Sequence, residues 1–243
     1  MQPQTLDKIA EVLFTSPFVS EKLRIVWHAG EPLTVPVSFY KDAVERFNGF
    51  NTNGIPISWG VQTNGTLINQ DWCDFFKENG FDVGVSIDGP EEFHDRNRID
   101  RKGRGTYKRV MEGVDLLRKN GINWGILMVV DKDSAEVAEL IWQFFVENGM
   151  TSVGFNPEEI SGVHHQSSLS YEGAEENVEN FYRILANLNN ESGNQVNIRE
   201  VDDMVSKIKA AKLPVHNGLV TPFEILSFDY LGNVSTFSPQ LLG

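Results

Sequence analysis

Five short apolar stretches, residues 24–28, 55–62, 81–87, 122–130 and 151–156, each run into a polar turn and then into a segment with helical apolar spacing. Strand, turn and helix repeated in that order predict consecutive βαβ units around a parallel sheet. The stretch 122–130 is apolar almost throughout, as parallel strands covered on both faces are. Helices are expected at 5–14, 38–47, 91–98, 106–119 and 134–147, with another around Trp72, Phe75 and Phe76. Asn79-Gly80, Asn120-Gly121 and Asn148-Gly149 supply C-terminal stops. After Asn156 the pattern changes to a polar loop, a helix over 171–189, a linker over 189–195, and a helix over 200–212. A hairpin over 223–237, turning at Leu231-Gly232-Asn233, follows.

The 243 residues are 40% hydrophobic, enough for a sizeable core. A formal net charge of -13 argues against nucleic acid, whose phosphates need Lys and Arg to displace counterions, and against anionic membrane surfaces. No apolar run approaches the roughly 20 residues a membrane helix needs. The first residues lack the charged and apolar regions of a secretory signal, so a cytoplasmic location is expected. Cys73 is the one cysteine. It excludes an internal disulfide and cannot alone hold a cysteine-ligated cluster.

A parallel α/β sheet gathers its chemistry at the strand carboxyl ends. Here those ends carry Glu31, Gln62, Asn64, Ser86, Asp88, Asn156 and Glu158. Taken singly, each is ordinary turn chemistry. Three clusters on one edge point to a shared mouth. His28 reads as a strand-end hydrogen bonder and His164-His165 as a solvated loop pair. His94-Asp95 reads as helix capping or surface pairing rather than an acid-base pair, and Cys73, among Trp72, Phe75 and Phe76, as an inert buried thiol. The glycines of 101–106 lack the spacing of a dinucleotide fingerprint.

Trp-His-Ala-Gly-Glu-Pro (27–32), Gln-Thr-Asn-Gly-Thr-Leu (62–67), Ser-Ile-Asp-Gly-Pro (86–90), His94-Asp95 with Arg98, and Gly105-Thr106-Tyr107 together resemble the core of radical S-adenosylmethionine (AdoMet) enzymes. The subgroup most resembled carries a SPASM domain and modifies peptides or proteins. The resemblance implies a partial (β/α)6 TIM-like barrel of parallel strands lacking its first strand, with a helical and short hairpin C-terminal extension. Residues 1–160 would form the barrel core. Residues 161–243 would form the extension and the start of a bridge towards a SPASM domain, so that the chain is truncated at both ends.

The same resemblance implies AdoMet and a 4Fe-4S cluster as cofactors, with a radical that takes hydrogen from a peptide or protein substrate. Ala29, Gly30 and Glu31 would meet the methionyl ammonium, and Ala29 stands where glycine is commoner. Ser86 would lie near the ribose hydroxyls or carboxylate and Arg98 at the methionyl carboxylate, with Gln62, Asn64 and Asp88 in the same cavity. The family binds its cluster through a Cys-x-x-x-Cys-x-x-Cys loop placed before the helix at 5–14. One cysteine cannot replace that loop, so no metal ligands are assigned and the isolated chain is expected to be inactive in radical generation. Its exposed first edge could pair with a chain supplying the absent strand. Two other readings are a cluster-less fragment that binds AdoMet or peptide, and a (β/α) barrel hydrolase using Glu31, Asp88 or Glu158 as paired carboxylates.

Overall fold

The computed structural model describes residues 1–19, 21–160, 166–209 and 223–236. It opens with α1 (Pro3–Thr15), β1 (Leu23–Trp27) and a 3-10 turn (Pro32–Thr34), followed by α2 (Val37–Phe50), β2 (Ile57–Thr63) and α3 (Gln70–Asn79). Then come β3 (Phe81–Ser86), α4 (Glu91–Asn97), α5 (Tyr107–Asn120), β4 (Trp124–Val130), α6 (Lys132–Ala135), α7 (Ala138–Glu147) and β5 (Ser152–Pro157). The chain continues through α8 (Ala174–Glu191), β6 (Asn197–Ile198), α9 (Arg199–Lys209) and a hairpin of β7 (Ser227–Phe228) and β8 (Val234–Ser235).

Strands β1 to β6 form one parallel sheet in sequence order, which is the partial TIM-like architecture expected. The residues facing the helices close the core. Val61, Val83, Val85, Met128, Val130, Val153 and Phe155 are buried there against Phe75, Phe76, Val114, Ile141, Phe145 and Phe181. Burying each such side chain contributes about 1.5–3 kcal/mol. The other face is built differently. Gly60, Gln62, Gly84, Ser86, Gly125, Leu127, Gly154 and Asn156 alternate with the core residues along their strands, and most are only partly covered. On this inner face, glycines make room for polar side chains from neighbouring elements. A Cβ at Gly84 would lie 2.0 Å from Gln62 Oε1, and one at Gly154 2.9 Å from Arg199 Cζ.

Three local outcomes differ from the sequence reading. The helix expected over 134–147 is two helices. Asp131 and Ser134 form a reciprocal capping box that starts α6 at Lys132. Val137 then leaves helical geometry at φ -129 and ψ 43 before α7 begins. The linker expected over 189–195 begins inside α8, and a sixth strand follows it. Buried Asn189 explains both, because its side chain accepts from Val196 N and donates to Val196 O, steering the chain into β6. Two residues are too few to show a strand period. The hairpin is confirmed by antiparallel β7 and β8. His164 and His165 lie outside the described residues, as do 210–212 of the expected helix and Phe237 of the expected hairpin.

Candidate functional site

The strand carboxyl ends are tied together by side chains, pair by pair. β1 stops at Trp27, and Ala29 and Gly30 follow with consecutive left-handed backbones at φ 70 and φ 59. This reverses the chain and sets Glu31 as N-cap of the 3-10 turn, where Oε1 accepts from Leu33 N at 3.0 Å. The same oxygen accepts from the buried Thr63 hydroxyl at 2.6 Å, and Oε2 accepts from Asn64 N at 2.8 Å. One carboxylate therefore joins the ends of β1 and β2. Behind it, Tyr40 donates to Pro32 O, and burial followed by the Glu31 charge raises the phenol well above its ordinary range.

The next joint is Gln62, which lies over Gly84 and donates through Nε2 to Ser86 Oγ at 3.1 Å, linking β2 to β3. Asn64 Oδ1 accepts from both the amide and the hydroxyl of Thr66. Gly65 can turn there only without a side chain: its φ is +75, and a Cβ would meet Val85 at 2.9 Å and Val110 at 3.1 Å. Asp88 makes the third joint. It receives Arg98 Nε at 2.6 Å and Nη2 at 3.0 Å, while Oδ1 also accepts from Val129 N at 3.0 Å, binding β3 to β4. At β5, Glu158 N donates to Val130 O, and the Glu158 carboxylate accepts from Ser167 and Ser168.

His94 is fully buried beside this third joint. Its Nδ1 faces Asp88 N at 3.4 Å, and its Nε2 lies 3.0 Å from Thr106 Oγ1, whose hydroxyl donates to Arg98 O. That chain of donors requires a neutral imidazole with hydrogen on Nε2. Burial, and then the Arg98 charge, push His94 from 6.5 down to about 4. Asp95 accepts from Tyr107 N at the start of α5. Asp95 thus acts as a cap, whereas His94 is a buried link between the β3 end and Thr106, neither a cap nor a surface pair.

Sequence reasoning missed Thr63, Thr106, Arg199 and Glu200. Arg199 Nη2 donates to Phe155 O and Asn156 Oδ1, and Glu200 accepts from Phe155 N. These two side chains take over the edge of β5 where the short β6 stops. Thr63 stands inside the Gln62 to Leu67 motif and was within reach; Arg199 and Glu200 belong to no motif. His28 is exposed at the mouth.

The mouth suits AdoMet in its exposed, doubly left-handed backbone at Ala29-Gly30 and its partly covered polar groups at Asn64 and Ser86, while the room over Gly84 and Gly154 is taken by Gln62 and Arg199. A 4Fe-4S cluster does not fit these residues. Cys73 is fully buried in α3, with its thiol pushed up by burial, and no group of three His, Cys, Asp or Glu among the described residues could hold a metal. A separate apolar cavity of about 620 Å³ lies between α1 and the hairpin, lined by residues such as Ile9, Leu13, Phe18, Phe223 and Leu231, and includes none of the strand-end residues.

The profile described as Radical SAM superfamily matches residues 2–142. An uncharacterised protein of Synechocystis sp., sll1766, is 35% identical over 241 residues, covering 98% of this chain and 61% of that protein. A serine-type anaerobic sulfatase-maturating enzyme of Bacteroides thetaiotaomicron is 39% identical over 166 residues, 68% of this chain and 40% of the enzyme. Among solved structures, native anSMEcpe with bound AdoMet superposes with a TM-score of 0.77 at 26% identity, covering 91% of this chain and 61% of that one. The chain thus spans less than two thirds of the length of each of these relatives.

Proposed function

The chain belongs to the radical SAM superfamily, and from that premise we propose that it is the AdoMet-binding part of a peptide or protein maturase. The observation that carries this reading is the clamped mouth: Glu31, Gln62 and Asp88 bind four successive strand ends into one rim. AdoMet supplies hydrogen-atom abstraction when it is reductively cleaved. The residues here would bind and orient it. The exposed backbone of Ala29-Gly30 receives the methionyl ammonium, and Glu31 holds that turn against Asn64. Ser86 Oγ accepts from Gln62, leaving its hydroxyl hydrogen for a ribose hydroxyl or carboxylate. Asn64, with Oδ1 committed to Thr66, offers its amide hydrogens. Arg98 holds Asp88 through Nε and Nη2, and its Nη1 is the donor directed to the methionyl carboxylate.

Calorimetry of this chain with AdoMet tests the reading. Saturable heat, competed by S-adenosylhomocysteine and weakened in Ser86→Ala, is expected; no saturable heat up to millimolar ligand overturns it. These residues alone do not assemble a cluster, so anaerobic reconstitution with iron and sulfide leaves the protein colourless, and a brown product refutes that part. The likeness to sulfatase-maturating enzymes supports a peptide or protein substrate, and one neighbouring structure, at 27% identity, holds a Cp18Cys peptide. Residues 1–160 carry the mouth and 161–243 the extension. A further strand covers the outer edge of β1. That edge has no partner strand among the described residues. We assign the protein to the cytoplasm; no helix among the described residues is long and apolar enough to cross a membrane. The cluster-less binder differs only in lacking chemistry. The hydrolase reading loses support because Glu31, Asp88 and Glu158 are each already committed as acceptors to neighbouring groups.

A further inference from the structure

On a chain of net charge -13, residues 96–109 are an inversion. They hold seven of the 21 Lys and Arg and one acid, Asp100. The structure places most of them on the loop between α4 and α5, and that loop is rigidly made. Ile99 and Gly105 form an antiparallel bridge, Asp100 N donates to Arg104 O at 2.8 Å, and Gly103 N donates to Asp100 O at 2.9 Å. Gly103 turns the tip at φ +73. The Asp100 carboxylate accepts from Lys102 N, Arg104 N, and Arg104 Nε and Nη2, and these bonds hold it down to about 2. The base of the loop is fixed to the β3 end through Arg98 on Asp88 and Thr106 on Arg98 O.

Three of the seven cations pair with acids outside the segment, Arg96 with Asp133, Arg98 with Asp88 and Lys108 with Glu91, but the rest are not neutralised one for one. Asp100 is shared by Arg104 at 2.7 Å and Arg109 at 3.5 Å. Arg101 and Lys102 are exposed, and neither makes an ion pair among the described residues. Ile99, 56% exposed, stands beside them as an apolar side chain on the same turn. Holding like charges together on a fixed turn is unfavourable without an opposing anion. A rigid turn also loses little entropy on binding one.

We propose that the 99–109 loop is a docking surface for an acidic polypeptide segment, with Arg101, Lys102, Arg104 and Arg109 facing its carboxylates and Ile99 seating one of its apolar side chains. A nucleic acid fits less well, because a long polyanion would run from this single turn onto a surface of its own sign. A short acidic segment ends where the basic turn ends.

Fluorescence anisotropy of the full chain with a labelled peptide of Glu and Asp around a central Leu tests the proposal without AdoMet, so its outcome is independent of the function proposed above. Binding that weakens with salt is expected, reduced about tenfold or more in R101E/K102E. The charge-neutral R101Q/K102Q should fall between the two, and both variants should keep the circular dichroism of the parent because neither side chain supports the loop. Ile99→Ser should weaken the Leu peptide but not its Ser counterpart. Equal binding by parent and R101E/K102E, no binding at low salt, or equal or tighter binding of a single-stranded DNA oligonucleotide of the same charge would each overturn the proposal.

Discussion

Replacing Glu31 by Gln is the sharpest test of how the mouth is held. The carboxylate meets three donors with two oxygens: Leu33 N and the Thr63 hydroxyl on Oε1, and Asn64 N on Oε2. An amide can keep an acceptor on one side only. If its oxygen stays with Leu33 and Thr63, the new NH2 faces the Asn64 N–H, donor against donor, at what is now 2.8 Å. If it flips, Leu33 N loses its acceptor and only the rotatable Thr63 hydroxyl can adapt. Either way one hydrogen bond to a charged acceptor is lost, about 1.5–3 kcal/mol, and a partly buried amide is left unpaired. We expect a loss of about 2 kcal/mol, which for a domain of this size lowers Tm by about 4–8 °C. Urea unfolding followed by near-UV circular dichroism measures the first quantity. A thermal melt measures the second, and hydrogen exchange reports the local effect, since the Asn64 amide should exchange faster by local opening. AdoMet binding should weaken in parallel as the β1 and β2 loops part. A variant within about 0.5 kcal/mol of the parent, the range of an ordinary surface change, with unaltered Asn64 protection would show that the carboxylate does not join the two strands.

Gly65→Ala and Gly30→Ala separate backbone strain from crowding. Both have positive φ, costing about 1–2 kcal/mol, but only Gly65 meets Val85 and Val110, so its variant should lose about 2–5 kcal/mol in denaturant unfolding while Gly30→Ala loses about 1. Gly84→Ala should leave the chain folded, because the obstructing atom is the end of the flexible Gln62 side chain, yet calorimetry should show weaker AdoMet binding as the Gln62 to Ser86 bond is displaced. His94 governs a pH effect. Its folded pKa, about 4, lies below the unfolded 6.5, so the unfolded chain binds the extra proton and stability falls as pH drops from 6.5 towards 4. The full effect is about 3 kcal/mol, and His94→Gln should flatten that part of a stability-pH profile.

Fold class was legible because parallel strands and their helices announce themselves in local pattern: Phe81 to Ser86 alternates, and Gln70 to Asn79 places Trp72, Phe75 and Phe76 on one side. The six-stranded sheet follows that order without rearrangement. Elements whose cause is distant were not legible. β6 exists because Asn189, seven residues before Val196, pairs its side-chain amide with the backbone there and steers the chain into the sheet.

The strand-end residues lie along one edge of the sheet, since polar residues after buried strands converge there in any parallel sheet. Their individual tasks were decided by tertiary structure. Glu31 is a joint whose donors include Thr63 and Asn64 across the sheet, Asp88 and Arg98 hold each other, and His94 is neutral because of the cavity it fills. Sequence by itself determined which side chains reach the mouth, because strand period and turn position are local properties of the chain. Only the folded molecule decided which of them remain free for a ligand, because hydrogen-bond partners are chosen among groups that lie far apart in sequence.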